Sequence, residues 1–393
     1  MSQAASQATP ALNKLQTFGI GLAVLGLGGL LASFAMGGPA QFFRSYLIGF
    51  VYVASFPLGC LAILCIQYLS GGQWGLIIRR ILEAGAKTMP LLLILFLPML
   101  AGMTHIFAWA VPGATTHDVV LQRKAPYLNV GFFSGRAFLY LILWIGFAFA
   151  LNRFARRQDE YKDMRIKKFI HDFSGVGLVM LSITMTFAAT DWIMSVDPHW
   201  YSTMLPVIWM AGSLLAGFTT SVVVVVSLLG VEPFSKVVKK RHIHDLGNFM
   251  LAFTMFWAYC SFSQFLITWS GNLREEVPWY LHRMHGAWGV IASALIVLHF
   301  FLPFFMLLMK DIKKYGKRLI WVAGLLLVMR LVDITWLISP SYDHGHWHFN
   351  VFDFAAGAGF LGVWVVYFIW NLKQTPLLPE YDPNLEALHH AQH

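Results

Sequence analysis

The sequence predicts an all-α integral membrane protein with about ten transmembrane helices. Of the 393 residues, 58% are hydrophobic and 12% are charged, and the mean hydropathy is +0.62. This composition leaves too little polar surface to cover a water-soluble globule. Apolar runs of about 20 residues, long enough to cross a hydrocarbon core of roughly 30 Å, recur along the whole chain. Lys and Arg are concentrated in alternate loops between these runs.

The predicted spans follow one another with polar connections. Their boundaries are 15 to 36, 45 to 69, 87 to 111, 132 to 152, 173 to 194, 204 to 229, 246 to 270, 284 to 309, 318 to 339 and 351 to 371. Residues 1 to 14 are polar, and the first apolar run is long enough to remain as a span, so no cleavable signal peptide is expected. Residues 372 to 393 form a predicted polar tail.

The distribution of positive charge predicts the orientation. Most of the 28 Lys and Arg residues lie in one alternate set of loops, which includes 153 to 168, 236 to 241 and 310 to 318. The positive-inside rule therefore places both termini, and the tail, in the cytoplasm. The net charge of +9 is then mostly an orientation signal. No nucleic-acid partner is expected, because that role needs a basic patch on a soluble face.

Three pairs of motifs recur with an offset of four spans and predict an internal duplication. They are KAPYLN (124 to 129) with EVPWYLH (276 to 282), His105-x3-Trp109 with Phe265-x3-Trp269, and Trp192-x2-Ser195 with Trp336-x2-Ser339. In the third pair, the first motif is followed by Pro198 and His199-Trp200, and the second by Pro340 and His346-Trp347. An even offset preserves topology. We therefore expect two four-helix bundles, 45 to 194 and 204 to 339, related by an axis along the membrane normal. Spans 15 to 36 and 351 to 371 are peripheral, and residues 1 to 393 form one membrane domain.

The stretch 187 to 204, FAATDWIMSVDPHWYSTM, turns an apolar helix into a polar hairpin and carries the acid Asp191. Asp197-Pro198 ends the helix, because proline lacks a backbone N–H and disfavours helical geometry in the preceding residue. A row of hydroxyls at intervals of four shares one helical stripe, namely Ser182, Thr186 and Thr190. These hydroxyls are candidates for a proton route. Alternatively, each bonds the carbonyl four residues earlier and does nothing more.

Charged and titratable residues inside the spans are the other candidates. Arg330 and Asp333 share a helix face and can form an ion pair, which should face a partner helix or a cavity because charge is costly in lipid. Arg330 cannot lose its proton and would act as a fixed charge. His299 is predicted in the cytoplasmic half of its span. Three further residues are predicted toward the outer side of their spans: His105, Asp191 and Asp353. The pair His171-Asp172 is predicted at the cytoplasmic start of a span, where it either admits protons or caps the helix.

The complete set of predicted proton-route residues is Asp191, Asp333, Arg330, His299, His105, Asp353, Ser182, Thr186, Thr190, His171 and Asp172. Proton transfer needs groups within hydrogen-bond reach of one another, and carboxylates, imidazoles and hydroxyls can serve. The competing interpretation is that these groups neutralise one another and only hold the bundles together. No catalytic residue is assigned to this chain.

The sequence predicts that the chain binds no redox cofactor or catalytic metal. Cys60, Cys65 and Cys260 lie inside spans without a CxxC pair, which excludes iron–sulfur clusters and covalent haem c. A b-type haem needs two histidines at matching depth, and the depths expected for His105 and His285 differ by more than a helical turn. Three histidines of an exposed loop could bind zinc opportunistically: His344, His346 and His348.

Three longer motifs resemble a known family. DWIMSVDPHWYST at 191 to 203, QFLITWSGNLREEVPWY at 264 to 280 and PYLNVGFFSGR at 126 to 136 are similar to the F membrane subunit of alternative complex III, the bacterial quinol:electron-acceptor oxidoreductase. The similarity covers nearly the whole chain. The family in turn resembles the membrane subunits of polysulfide-reductase-like enzymes, which have eight core helices in two four-helix bundles flanked by outer spans.

The resemblance implies a non-catalytic subunit in the inner membrane of a bacterium. Its partners would be a homologous quinol-binding membrane subunit, periplasmic subunits with iron–sulfur clusters and haem c, and other small membrane subunits. The complex would oxidise menaquinol or another quinol in a respiratory or photosynthetic chain, and this subunit would provide a scaffold and a proton route.

Two alternatives remain open at the level of the sequence. In the first, the chain itself hosts the quinol oxidation site, and His105 or Asp191 accepts a proton. In the second, the chain is a stand-alone secondary transporter, although the pair of Gly/Pro-broken helices expected in matching halves is not evident.

Overall fold

The computed structural model describes residues 3 to 116, 118 to 161, 163 to 342 and 350 to 379, with side-chain burial from residue 10 onward. These ranges contain helices and turns and no β-strand. The α-helices are α1 Gln3–Ser70, α2 Gln73–Ala86, α3 Met89–Ala101, α4 Met103–Ile106, α5 Val119–Lys124, α6 Val130–Tyr161, α7 Met164–Trp192, α8 Leu205–Leu228, α9 Phe234–Val237, α10 Lys240–Gly271, α11 Val277–Met284, α12 Gly286–Ala294, α13 Leu302–Leu308, α14 Lys310–Lys314, α15 Gly316–Ile338 and α16 Val351–Lys373. A π-helical segment, Leu295–Phe301, joins α12 to α13. Short 3₁₀ turns are Ala108–Ala110, Ala114–Thr116, Met194–Val196 and Ser339–Ser341.

In the described part of the chain, nine helical segments are long and apolar enough to cross a membrane. The predicted class, an all-α multi-pass membrane protein, is confirmed at this level. The first of these segments, Pro10–Ser70, has 61 residues. At 1.5 Å per residue a straight helix of that length would measure about 90 Å, three times the thickness of a bilayer core.

Gly38 divides this first segment into two. Its φ of 72° and ψ of −176° are not helical, and a positive φ costs little only in glycine. On the N-terminal side, Gly19 lies against Gly362 and Gly26 against Gly359. Residue numbers that rise along α1 therefore meet numbers that fall along α16, so this half of α1 is antiparallel to α16.

The second half of α1 has the opposite direction. Ser45 donates a hydrogen bond to Asp353 at 2.6 Å, and the rings of Phe56 and Trp364 lie 4.9 Å apart. Residue numbers here rise together, so this half is parallel to α16. The chain therefore reverses at Gly38, and the two halves correspond to the predicted spans 15 to 36 and 45 to 69.

The third span lies earlier in the chain than predicted. The sequence suggested 87 to 111, with Arg80 in the preceding loop, whereas the apolar helical segment is Gln73–Ala101, formed by α2 and α3 with a short break at Lys87 and Thr88. The reason is charge neutralisation: Arg80 pairs with Glu83 at 2.8 Å and also with Asp159. A paired arginine can be buried in a helix bundle, so the helix begins before it.

The long helices pack in two sets that follow chain order. In the first set, the second half of α1 contacts α2, α3 and α7, and α6 contacts α3 and α7. In the second set, α8 contacts α10 and α15, and the helix formed by α12, the π-helical segment and α13 contacts both α10 and α15. The sets meet where α1 crosses α8, with Gly59 against Ser213 and Gly217 against the backbone of Cys60. The predicted duplication stays a prediction.

The two ends of these sets differ in charge. We call the end that carries the basic residues of 153 to 168, 236 to 241 and 310 to 318 the basic end, and the opposite end the outer end. Between the ends, residues 44 to 65 of α1 are almost all buried, so this helix segment forms the centre of the molecule. Large apolar side chains on α6, α7, α10 and α12 face outward, as expected for helices in contact with lipid.

Candidate functional site

A group of buried polar side chains lies near the middle of the second helix set. Arg330 and Asp333 form an ion pair with a nitrogen–oxygen distance of 2.5 Å and are 1% and 2% exposed. The second guanidinium nitrogen of Arg330 donates to Ser55 Oγ at 3.3 Å and to the Trp209 carbonyl at 3.1 Å. Trp257 Nε1 donates to Asp333 at 3.2 Å. The pair thus joins α1, α8, α10 and α15.

His299 completes this group, which we call the central cluster (Arg330, Asp333, Trp257 and His299). Its ring lies 4.0 Å from the ring of Trp257, centre to centre, and it is fully buried. Neither ring nitrogen has a hydrogen-bond partner among the described residues. An imidazole has one acceptor and one donor when neutral, so both functions of His299 are available.

The local backbone explains why His299 lies on a widened helical turn. Pro303 lacks the N–H that would bond the carbonyl four residues earlier, which is the carbonyl of His299, and its ring would clash with that carbonyl in a regular α-helix. The π-helical segment Leu295–Phe301 ends just before this proline. Such widened turns are frequent at functional sites, because they present a side chain that regular helical geometry would not.

A second buried pair, the Asp191 site, lies at the outer end of the first helix set. Asp191 is 0% exposed and accepts two hydrogen bonds from Arg136, at 3.0 and 2.7 Å, and one from Tyr140 at 3.1 Å. The Arg136 guanidinium also lies 3.7 Å from the ring centre of Tyr127 and 4.3 Å from that of Phe132. Burial, followed by the Asp191 carboxylate, raises the pKa of Tyr127 to about 12.

Sequence reasoning missed Arg136 as a partner of Asp191. The residue lies within the PYLNVGFFSGR motif and inside the predicted span 132 to 152, and the structure places it on α6, which begins at Val130. The sequence contains a signal for this pairing, because Arg136 lies in the second turn of an apolar helix, at the same end of the predicted bundle as Asp191. A buried arginine at that position requires a counter-charge.

An aromatic layer separates the Asp191 site from the central cluster. Trp192 follows Asp191 and its ring lies 6.2 Å from that of Trp209, whose carbonyl accepts the hydrogen bond from Arg330. Phe50 packs against the same Trp192 ring at 5.0 Å. No chain of hydrogen bonds between described side chains joins Asp191 to Arg330 across these rings.

The structure does not bring the hydroxyl stripe of α7 into either site. Ser182 and Thr186 are exposed and Thr190 is half-buried, and each hydroxyl donates to the carbonyl four residues earlier, at 2.7 to 3.0 Å. The neighbouring stripe of α7, which contains Thr184 and Asp191, faces the interior of the helix set instead. Thr184 Oγ1 accepts a hydrogen bond from the buried indole of Trp144 at 2.8 Å.

Three other predicted residues lie at the surface, at opposite ends of the first helix set. His105 is exposed at the outer end, and its ring stacks on Phe43 with a centroid distance of 5.8 Å and an angle of 5°. His171 and Asp172 are exposed at the basic end and contact each other at 3.0 Å. The structure does not bring any of the three to the central cluster.

Asp353 belongs to a separate polar contact at the outer end. It is 5% exposed and accepts hydrogen bonds from Ser45 at 2.6 Å, from Ser339 at 3.0 Å and from Gln41 at 3.4 Å. These bonds tie α16 to α1 and to the end of α15. Its position toward the outer end agrees with the position expected from the sequence.

A third charged group, absent from the residues predicted from the sequence, lies toward the basic end. Arg80 contacts Glu83 and Asp159, and Tyr68 donates to Glu83 at 3.1 Å. Arg80 and Glu83 have the same spacing of three as Arg330 and Asp333. That spacing on an apolar helix was the signal that could have identified them.

The described residues contain no group of three or more His, Cys, Asp or Glu side chains arranged to hold a metal ion. Cys60, Cys65 and Cys260 are buried and unpaired. The three histidines considered for opportunistic zinc binding lie outside the described residues, as do Trp347 of the third motif match and residues 380 to 393 of the predicted tail.

Comparison of the chain with protein-family models gives no match, and comparison with curated proteins gives none either. The resemblance described above therefore rests on its three motifs. The geometry has a chemical meaning: a carboxylate and a guanidinium form an ion pair in the interior of a membrane-spanning helix set, near its middle, and an imidazole packs on the indole that donates to the carboxylate. The carboxylate and the imidazole can each exchange a proton, and the guanidinium cannot.

Proposed function

We propose that this chain is a membrane subunit of a bacterial quinol:electron-acceptor oxidoreductase of the alternative complex III type, where it provides a scaffold and part of a proton route. It would hold no redox cofactor itself. Its partners would be a homologous quinol-binding membrane subunit, periplasmic subunits with iron–sulfur clusters and haem c, and other small membrane subunits. The three motifs support the family, and the central cluster supports proton transfer.

The central cluster is the observation that carries the proton route. A charge at the bilayer centre costs at least roughly 2.5 to 3.5 kcal/mol on insertion scales. Packing alone does not require such a pair, because well-packed apolar residues can often replace a buried ion pair with no loss of stability. Next to the pair stands His299, buried and without a hydrogen-bond partner among the described residues. A titratable carboxylate and an unengaged imidazole on either side of one indole, that of Trp257, are an arrangement that a few water molecules could join for passing protons.

The proposed route has two halves. Protons from the basic end would pass the group formed by Tyr68 and Glu83. Protons leaving toward the outer end would pass Asp191, which requires water to enter the aromatic layer that separates it from the central cluster. Asp333 and His299 would form the middle. Arg330 stays charged and would keep the halves apart until the cluster rearranges. The hydroxyls on the surface of α7 have no part in this version of the route.

The same proposal includes the architecture and the orientation of the chain. The two helix sets would be related by an internal duplication, and their matching order of helix neighbours supports this relation. The basic end would face the cytoplasm of a bacterial inner membrane, with both termini on that side, because Lys and Arg are retained in cytoplasmic loops.

The subunit proposal is tested by purification from native membranes through an affinity tag on this chain. We expect the chain to come out with haem-bearing and iron–sulfur subunits and with quinol oxidation activity. Recovery of the chain without such partners, from membranes in which the oxidoreductase is active, would overturn the proposal and favour a stand-alone transporter.

The proton route is tested in liposomes that contain the intact complex. Asp333→Asn keeps the shape of the side chain and removes its titration, so the number of protons released per electron should fall. A double change, Arg330→Met with Asp333→Leu, removes the titration without leaving a single buried charge. Asp311→Asn, at an exposed position of the basic end, is the matched control and should leave the ratio unchanged. Unchanged ratios in both Asp333 variants would leave scaffolding as the function.

A second candidate function is favoured by His105. Its exposed, stacked ring at the outer end of the first set gives a titratable group that a quinol in the lipid could reach. In that case the chain would host quinol oxidation itself. His105→Gln should then raise the KM for quinol of the intact complex at least several-fold, whereas Asp333→Asn should not. An unchanged KM would exclude this role for His105.

A further inference from the structure

Positive charge is concentrated in the segment 310 to 318, at the basic end of the second helix set. Five of its nine residues are Lys or Arg, and one, Asp311, is acidic. The segment joins α13 to α15 and includes the first turn of α15. Clusters of Lys and Arg beside a transmembrane helix are typical of sites that bind anionic lipids, but they also arise from the orientation rule alone. The arrangement of the side chains is therefore what points to a ligand.

The ring of Tyr315 lies beside two of the positive side chains. Lys240 Nζ is 5.6 Å from the centre of this ring, and the guanidinium carbon of Arg318 is 5.4 Å from it. Lys240 is the first residue of α10, so two segments that are distant in the sequence bring their charges to one ring. Contact with the ring orients each cation. All three side chains are exposed, and we call them the Tyr315 patch (Lys240, Tyr315 and Arg318).

The two cations of the Tyr315 patch have no counter-charge among the described residues. Neither side chain forms an ion pair, and contact with the tyrosine ring is the interaction that each of them makes. The acids of the neighbouring segment are directed elsewhere, because Glu232 pairs with Lys236 at 2.6 Å and Asp245 lies 3.9 Å from His244. Two positive charges beside one ring repel each other, and a bound anion would offset this repulsion. The patch is thus complementary to an anion.

The surface on the membrane side of the Tyr315 patch is apolar. Trp321 follows Arg318 by three residues, so it lies on the same face of α15, about one turn deeper in the membrane. Its side chain is 78% exposed, and Met309, at the end of α13, is 56% exposed. A soluble anion would use the two charges alone. An amphiphile would place its charged group at the cations and its apolar chains along the exposed indole.

The chemistry of the cations points to a phosphate group. Arg and Lys make strong, charge-assisted hydrogen bonds to phosphate oxygens. Both cations lie at the end of a membrane-spanning segment, which is the depth of lipid headgroups. The exposed tyrosine between the charged and apolar surfaces is also typical of that depth.

We infer that the Tyr315 patch binds an anionic phospholipid, whose headgroup phosphate is held by Lys240 and Arg318 and whose acyl chains lie along the exposed face of α15 at Trp321. The inference goes beyond the proposed oxidoreductase function and does not depend on it, because it rests on the charge and the depth of this patch.

The full chain, purified in a neutral detergent and freed of lipid, provides the test. Vesicles of phosphatidylcholine alone or mixed with phosphatidylglycerol are added, and native mass spectrometry counts the retained phosphatidylglycerol. The double change Lys240→Gln with Arg318→Gln should weaken this binding by about 25-fold, or about fivefold for each charge lost near a lipid phosphate. Arg153→Gln with Arg157→Gln removes two exposed charges at the same end of the first helix set and is the matched control.

Two further measurements separate charge from structure and lipid from soluble anion. The exchange Lys240→Arg with Arg318→Lys keeps both charges and should retain phosphatidylglycerol. Inorganic phosphate, titrated while thermal unfolding is followed, should give no stabilisation that depends on the patch.

Loss of phosphatidylglycerol in the Gln double variant, with retention in the control and in the charge-keeping exchange, supports the inference. Equal retention in the Gln double variant and the control overturns it, as does an equal loss in the charge-keeping exchange, which would trace the effect to structure instead of charge. Stabilisation by inorganic phosphate that disappears in the Gln double variant would reveal a site for a soluble anion and overturn the assignment to a lipid.

Discussion

Arg330 and Asp333 lie three residues apart on one helix, whereas Arg136 and Asp191 come from two helices, α6 and α7. The first pair has a single close contact and relies on three other helices for its remaining hydrogen bonds. The second pair has two parallel hydrogen bonds. Both carboxylates are almost completely buried.

The difference concerns the stage at which each charge is neutralised. The pair on α15 can form as soon as that helix forms, so the helix can enter the membrane with its charges already compensated. Asp191 has its counter-charge on a different helix and is compensated only when α6 and α7 pack. The pair on α15 therefore permits insertion, while the Arg136–Asp191 pair specifies which helix packs beside which and in what register.

The largest effect is expected at the central cluster. Asp333→Asn should lower the free energy of unfolding by about 3 to 5 kcal/mol, because it leaves Arg330 buried without a counter-charge. Unfolding by sodium dodecyl sulfate in mixed micelles measures the loss. Arg330→Met combined with Asp333→Leu should recover most of it. A double variant as unstable as the single one would mean that the polar contacts, not the charge balance, hold these helices together.

A smaller loss, about 1 to 3 kcal/mol, is expected for Asp191→Asn in the same assay. Arg136 would remain stacked on Tyr127, and it lies near the outer end of the set, where it is 9% exposed and can reach water. A loss equal to that of Asp333→Asn would contradict the idea that depth in the membrane determines the cost.

Arg136→Lys separates charge from geometry in the second pair. Lysine keeps the positive charge but cannot make two parallel hydrogen bonds to Asp191 or stack flat on Tyr127. We expect a loss of about 1 kcal/mol. Tryptic cleavage of the loop between α6 and α7, at the basic end, serves as a control for local structure and should proceed at the unaltered rate. An unchanged free energy of unfolding would show that charge alone is sufficient at this site.

The smallest effect is expected for the hydroxyl stripe. Thr186→Ala should change the free energy of unfolding by less than about 0.5 kcal/mol, because its hydroxyl is exposed and bonds only its own helix. Thr184→Ala, two residues away on the buried face, should cost about 1 kcal/mol through the loss of its bond with Trp144. Equal losses in the two variants would indicate that the stripe is covered by a partner in the membrane.

The position of each apolar run was predictable because hydropathy is a local property. Nine of the ten predicted spans overlap closely with helical segments, and the exception is the third span, predicted at 87 to 111. The third span was predicted too late because Arg80 counted as a loop residue, although Glu83, three residues on, and the distant Asp159 both neutralise it. Hydropathy scores each charged residue separately and cannot register that two of them compensate each other.

By itself, the sequence determined the membrane class, the approximate spans, the basic end and the pairing of Arg330 with Asp333, because each depends on composition or on spacing within one helix. The tertiary structure decided which face of α7 is buried, which arginine meets Asp191 and which indole packs on His299. These properties depend on the rotation of each helix about its axis, and only contact with neighbouring helices sets that rotation. The hydroxyl stripe shows the limit: its spacing is visible in the sequence, but its exposure is a consequence of packing.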